Sequence, residues 1–274
     1  MDTYHLCLNE KKIKKAKYAF LPGDPERVPN IAGFFDEHKS IEIAWNREFR
    51  TWLGKINGEE VIVTSTGIGG SSTSIAVDEL AQLGVHTFIR VGTTGAIQKD
   101  IDVGDVIITT ASVRLDGASI HYCPIEYPAV ANYYVLHALV ESAKALDTRY
   151  HVGITASSDT FYPGQERYDS FSGYRYIIKR LQGSLKEWQQ LNVLNYEMES
   201  STLFTIASTL NLRAGCITEV IINRVNQQKI NSKITKLAKE KSIKIAIGAM
   251  KRLIDNDKTL PNKRVKDGNK RSGR

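Results

Sequence analysis

Cysteine, proline, tryptophan and long apolar runs are all scarce in this 274-residue chain. The three cysteines, Cys7, Cys123 and Cys216, are scattered and odd in number. They fit neither a metal-ligand spacing nor a disulfide framework, so reduced structural thiols are expected. No stretch approaches the roughly 20 apolar residues that a membrane-spanning helix needs. Met1 to Glu10 contains no apolar signal core. A cytoplasmic protein with no membrane partner is therefore expected.

What is present points to a globular enzyme-sized body. Apolar residues make up 42% and charged residues 24%, which excludes wholesale disorder. The net charge of +7 is unevenly spread: from Asp255 to Arg274, seven Lys/Arg stand against three Asp. This polar end reads as a basic, disordered tail (255–274) after one domain (1–254). A nucleic-acid arm is the rival reading of the tail, and nucleic acid is not an expected partner. The remaining body is mildly basic, which helps to attract an anionic substrate.

Strand and helix spacings alternate along the chain. Tyr18 to Leu21 reads as a strand ending in Pro22-Gly23-Asp24-Pro25. Ile41 to Leu53 and Glu59 to Ser65 flank Asn57-Gly58, a hairpin signal. Val85 to Val91 reads as a strand that stops at Gly92; Val103 to Thr110, Tyr150 to Ala156 and Arg213 to Ile222 are further strands. Helical spacing marks Ser71 to Leu83, Tyr133 to Leu146, Ser200 to Leu210 and Lys229 to Leu253. No linker divides this alternation, so one α/β domain is expected, a sheet between helices with ligands at strand ends.

Four clusters at such ends could carry chemistry. In Gly23 to Arg27 (GDPER), the glycine lets an anion approach the backbone and Arg27 offers a donor fork matched to phosphate; a Pro-bracketed turn with a surface Arg explains the same residues. In Arg90 to Ile97 (RVGTTGAI), a small-residue loop beside an Arg could cradle phosphate, without P-loop or dinucleotide spacing. Thr66 to Ser72 (TGIGGSS) reads as a Gly-rich turn before a helix. In Ser157 to Arg167 (SSDTFYPGQER), Gln165 could read an imide edge, Arg167 a carbonyl, and Phe161 and Tyr162 could stack on a flat ring. In Asn195 to Ser200 (NYEMES), Glu197 and Glu199 could grip a sugar diol and favour an oxocarbenium-like transition state. Stabilisation by the helix dipole, common for Glu at a helix N-terminus, is the alternative reading for one of them.

Taken in order, GDPER, NREF (46–49), STGIGG (65–70), RVGTTGAI, ASVRLDGAS (111–119), SSDTFYPGQER and NYEMES closely resemble the nucleoside phosphorylase family. The resemblance runs from His5 to Leu253. It implies a three-layer α/β/α sandwich around a mixed sheet, and phosphorolysis with uridine and inorganic phosphate as expected substrates. It further implies a homodimer that builds into a homohexamer, with sites shared across the dimer. By this resemblance Gly23, Arg27, Arg47, Arg90 and Thr93 hold phosphate, with Arg47 from a neighbouring subunit. His5 from the neighbour joins Thr93, Glu197, Met198 and Glu199 at the ribose. Thr94, Gly95, Phe161, Gln165, Arg167, Ile221 and Arg224 surround the base. Arg90, Gln165, Arg167 and Glu199 are the expected catalytic set. No divalent metal or other cofactor is expected, apart from a structural potassium ion at the dimer interface held by Glu48, Ile68 and Ser72.

The chain departs from the family pattern at Glu219, where a glycine is usual, at Cys7, and in a small insertion within 174–180. Glu219 raises the expectation of a narrowed base pocket. Rival readings are a purine phosphorylase or nucleosidase of the same superfamily, and a non-catalytic nucleoside-binding protein. Asn223-Arg224 stands where purine-acting relatives carry an Asp, which favours a pyrimidine.

Overall fold

The buried β-branched and aromatic runs read above form the strands of a ten-stranded mixed sheet. The computed structural model describes residues 1–226 and 232–259. In chain order the elements are β1 (Tyr18–Leu21), α1 (Arg27–Ala32), β2 (Ile41–Asn46), β3 (Phe49–Ile56), β4 (Glu59–Thr64), α2 (Gly70–Gln82), β5 (Thr87–Ala96), β6 (Val106–Leu115) and β7 (Ala129–Val130). Then follow α3 (Tyr133–Ala145), β8 (Tyr150–Ser158), α4 (Phe171–Arg175), α5 (Ser184–Gln190), β9 (Asn195–Glu197), α6 (Ser200–Thr209), β10 (Arg213–Asn223) and α7 (Ser232–Thr259). Short 3₁₀ turns lie between several of them, one at Pro163–Gln165.

Alternation along β5 separates two apolar cores. Ile89 and Val91 face α1, α3 and α7, packing with Val28, Ile31, Val135, Leu139, Met250 and Leu253. Phe88 faces the other way, toward Val77, Leu80, Leu203 and Phe204 of α2 and α6. This is the expected three-layer sandwich. Its sheet is more curved than a flat layer. Strand β5 pairs with β1 and β10 in parallel and with β9 antiparallel, while β10–β6–β8–β9 completes a closed circuit back to β5. Strands β1, β4, β3 and β2 extend from it as an open wing. The loops after β1 and β4 meet at the same end: Thr66 N donates to Pro22 O at 2.9 Å, and a Cβ on Gly23 would lie 3.2 Å from Gly67 O.

Three readings need correction. First, β5 does not stop at Gly92. It runs to Ala96, because β10 pairs with it as far as Asn223↔Ala96 and β9 flanks it at Gly95↔Tyr196. The glycines serve close packing within the strand, not a loop. Second, the segment 41–53 is two strands. A two-residue turn at Arg47-Glu48, with Arg47 at φ 54°, folds β2 back on β3 in the register Asn46↔Phe49. No glycine advertised it, unlike the Asn57-Gly58 turn, where φ is 49° and 78° as a mirror-image hairpin turn requires. Third, the last helix does not end at Leu253. Helix α7 continues to Thr259 because Asp257 anchors its last turn: Arg213 Nη1 and Nη2 donate to it at 2.8 and 2.5 Å, and Tyr18 Oη at 2.9 Å. The rest of the tail, 260–274, and the helix start read at 229–231 lie outside the described residues. No described helix is long and apolar enough to cross a membrane.

Burial pushes the Asp257 carboxyl up, and the hydrogen bonds and charge of Arg213 outweigh this, holding it below the usual range. A carboxylate lowered on folding stabilises above its unfolded pKa of about 3.9 and loses that contribution as pH falls through the lower folded value. Asp257→Asn is therefore expected to lower Tm at pH 7. The gap from wild type should close as pH falls below about 4. Thermal melts of both proteins across pH 2–8 check this.

Candidate active site

The junction of β9 and α6 brings the NYEMES carboxylates beside β5, which β9 flanks at Gly95↔Tyr196. Glu197 ends β9 and Ser200 opens α6, so the carboxylate of Glu197 sits beside the free N–H groups of a helix start. It accepts from Glu199 N at 2.9 Å, Ser200 N at 3.0 Å, Ser200 Oγ at 2.5 Å and Arg90 Nε at 2.9 Å. These donors hold Glu197 below the ordinary carboxylate range, although burial alone pushes it up and Arg90 is the largest opposing influence. Glu199 is bound to Gly69 N at 2.6 Å and paired with Arg90 Nη2. Burial, with the charge of Glu197 added, raises Glu199 above the ordinary range. The pair is thus divided: Glu197 is saturated as a structural anchor, and Glu199 is the less committed carboxylate.

Arg90 completes this triad and keeps one donor in reserve. All three residues are at most 5% exposed. Burial opposes the Arg90 charge, and Glu199 and Glu197 more than offset it, so the guanidinium stays above its usual range. Its Nη1 is buried with no hydrogen-bond partner. The guanidinium folds over Gly92, where a Cβ would stand 2.8 Å from Nη2. That close approach explains the glycine at this strand position. Arg27, at the start of α1, is also buried but does not join the triad: its Nη2 reaches Glu219. Gly23 is partly exposed in the loop before it, and Thr93 is partly exposed on β5.

A second cluster lies on the far side of β9. Gln165 is 2% exposed at the end of its 3₁₀ turn, and the next residue, Glu166, takes φ 50° and caps α5 through Leu185 N at 2.7 Å. Arg167 donates through Nε and Nη2 to Gln165 Oε1, both at 3.4 Å, and lies 4.0 Å above the half-exposed Phe161 ring. Phe161 is therefore stacked on Arg167. Arg224 stands 5.5 Å over the Tyr196 ring, with Nη1 buried and unpartnered. Burial pulls Arg167 down; burial and then the neighbouring Arg167 pull Arg224 down to about 10. Thr94 Oγ1 donates to Tyr196 O at 2.6 Å, and a Cβ on Gly95 would meet Ile222 and Arg224, which ties β5 to this cluster. Ile221 and Met198 are partly exposed at its edges.

His5 packs against Asn46, the residue before Arg47, and among the described residues no hydrogen bond or ion pair joins either His5 or Arg47 to the two clusters. His5 O accepts from Asn46 Nδ2 at 2.7 Å, and its ring Nδ1 lies 2.7 Å from Glu79 Oε1. Arg47 is exposed at its hairpin tip. Glu48 and Ser72 converge on Gly67, where a Cβ would lie 2.7 Å from Glu48 Cγ and 3.2 Å from Ser72 Oγ; Ile68, at 77% exposure, is the adjoining apolar residue. Ser72 Oγ also donates to Ile68 O at 3.2 Å. This all-oxygen set fits a hard cation better than a soft one. Among the described residues no group of three or more His, Cys, Asp or Glu side chains is placed to hold a metal ion.

Glu219 does not narrow the base cluster. It faces α7, where Ser242 Oγ donates to it at 2.8 Å. Cys216 is buried and its thiol is pushed up to about 12 by burial, so it is inert as expected. Two residues escaped the sequence reading. Asp116 gathers Ser119 N at 2.7 Å, Ser201 Oγ at 2.5 Å and Thr202 Oγ1 at 2.7 Å, fixing the start of α6. Tyr196 backs Arg224. A buried Asp inside LDGAS flanked by glycine was the one available signal.

The family profile described as the Phosphorylase superfamily matches residues 17–255. This chain belongs to the phosphorylase superfamily. Within that superfamily it is 55% identical over 252 residues to a Haemophilus influenzae protein named uridine phosphorylase, covering 92% of this chain and 98% of that one. It is 53% identical over 253 residues to proteins of the same name from Salmonella typhimurium and Escherichia coli, again covering 92% of this chain and 98% of each.

The triad assigns unequal roles to its carboxylates. Glu197→Gln removes one of two anions balancing a buried guanidinium, and it should cost about 3 kcal/mol of stability. Glu199→Gln removes a carboxylate already disfavoured by its surroundings. It should cost less stability and more kcat/KM. Urea unfolding together with steady-state kinetics on both variants tests the division.

Proposed function

We propose that this chain catalyses reversible phosphorolysis of uridine to uracil and ribose 1-phosphate. One observation carries the reading: Arg167 and Arg224 are partly buried side by side, and among the described residues neither guanidinium has a salt bridge. Two adjacent, partly buried cations without a counter-anion suit an anion or a ring rich in carbonyl oxygens. Uracil supplies the carbonyls at once, and the negative charge as its bond to C1′ breaks.

The chemistry follows from that bond. As it loosens, electrons pass to the uracil ring and the sugar approaches an oxocarbenium ion. Contacts from Gln165, Arg167 and Arg224 strengthen as the ring charge grows, so they favour the transition state over the bound substrate. Glu199, with Met198 beside it, holds the ribose and stabilises its growing positive charge. Phosphate attacks C1′ from the face opposite the base, giving ribose 1-phosphate with inversion and no covalent enzyme intermediate. The unpartnered Nη1 of Arg90 supports its role as a phosphate donor. Gly23, Arg27 and Thr93 are the neighbouring phosphate groups in this proposal.

Oligomerisation belongs to the same proposal. Arg47 is exposed, His5 lies against the preceding residue Asn46, and neither is bonded to the two clusters, which supports their service to a second copy in a homodimer that builds into a hexamer. A potassium ion at that interface would be held by Glu48, Ser72 and the Ile68 carbonyl, supplying charge balance between copies and taking no part in the reaction.

Cytidine tests the base reading. Its ring lacks the N3 proton and turns a donor toward Arg167 where uracil offers an acceptor. A pocket built to bond one edge rejects the mismatched analogue by roughly 10⁴-fold in favourable cases. Steady-state kinetics should show efficient turnover of uridine and almost none of cytidine, and a large loss of kcat/KM for uridine in Gln165→Ala. Comparable cytidine turnover, or a Gln165→Ala enzyme of normal efficiency, removes this loop as the base reader.

A further inference from the structure

Glu219 is a fully buried carboxylate that the reaction above does not use. It lies on β10 in register with Thr93 of β5. Residues in register on parallel neighbouring strands direct their side chains to the same face, so Glu219 and Thr93 share a face. On that face Glu219 Oε1 stands 3.1 Å from Arg27 Nη2, and Oε2 accepts from Nη2 at 3.4 Å. Ser242 Oγ of α7 holds Oε2 from the other side at 2.8 Å. Oε1 is buried and accepts no hydrogen bond, since Nη2 approaches it out of line with its N–H bonds. A buried carboxylate with one oxygen unsatisfied is costly unless a charge offsets it. Arg27 is the only cation paired with it among the described residues.

We infer that Glu219 is a built-in counter-anion for Arg27, a positioning residue that occupies part of the guanidinium and weakens the hold on phosphate. The inference rests on the reading of Arg27 as a phosphate ligand. Without phosphate, Glu219 balances a cation that is itself 7% exposed. When phosphate arrives, it meets a neighbouring negative charge and a donor fork with one arm engaged. Like charges a few ångströms apart in a partly desolvated site oppose binding strongly. The carboxylate therefore keeps the phosphate KM high and helps product phosphate esters to leave.

The isosteric Glu219→Gln variant removes the charge and keeps the volume. We expect the KM for phosphate to fall about fivefold or more, with kcat and the KM for uridine within about twofold of wild type. The Tm rise caused by saturating phosphate should be larger than in wild type, because phosphate becomes the main counter-ion of Arg27. A merely structural Glu219 would instead lower Tm without a selective change in phosphate KM. Glu219→Thr, a smaller neutral residue suited to a strand, carries the same expectation and replaces the Gln variant if that one does not fold. Arg27→Ala is measured in parallel. If it leaves the phosphate KM unchanged, Arg27 is not a phosphate ligand and both readings fall. If it raises that KM while the neutral Glu219 variants leave it unchanged or raise it, the phosphate reading stands and the counter-anion inference is overturned.

Discussion

The buried triad of Arg90, Glu197 and Glu199 is the constraint on which the rest of the site depends. A guanidinium at 5% exposure cannot be held in a protein interior without anions beside it. Glu197 meets that need with every lone pair engaged, and in doing so caps the start of α6. Glu199 meets it at closer range, with fewer hydrogen bonds of its own, and ties the Gly69 loop to the same point. One charge balance therefore fixes a strand end, a helix start and a Gly-rich loop together. What remains over is an unpartnered Arg90 donor and a carboxylate under electrostatic pressure.

The curvature of the sheet turns this local arrangement into a site with two ends. Because β5 is flanked by β10 on one side and β9 on the other, Arg90 and Thr94 sit on one strand yet serve different clusters. Arg90 meets the carboxylates, and Thr94 connects through Tyr196 to the paired cations Arg167 and Arg224. A nucleoside laid along β9 would place its sugar near negative charge and its base near positive charge. That polarity matches the charge separation of a breaking N-glycosidic bond.

Much of this was legible in the sequence, and the failures have physical causes. The strand–helix alternation and the NYEMES junction were clear because their apolar periodicity and small hydroxyl residues mark them locally. The course of β5 through Gly92 and Gly95 was not, since glycine ordinarily signals a break and only the flanking strands rescue the pairing. The Arg47-Glu48 turn was hidden because its left-handed residue is an arginine. The end of α7 was misplaced because its last turn is held by Arg213, distant in sequence and silent in local composition. Residue types named the candidates at the site, but only the fold separates Glu197, saturated with hydrogen bonds, from the less committed Glu199, and turns Glu219 toward Arg27.

This charge arrangement suits cleavage of a nucleoside with phosphate as the attacking group. The most direct measurement is uracil release from uridine by the purified protein, in phosphate-free buffer and with added phosphate, with ribose 1-phosphate assayed alongside. Release is expected only when phosphate is present, with one ribose 1-phosphate formed per uracil. Equal release without phosphate, yielding free ribose, would make the protein a hydrolase and contradict that expectation.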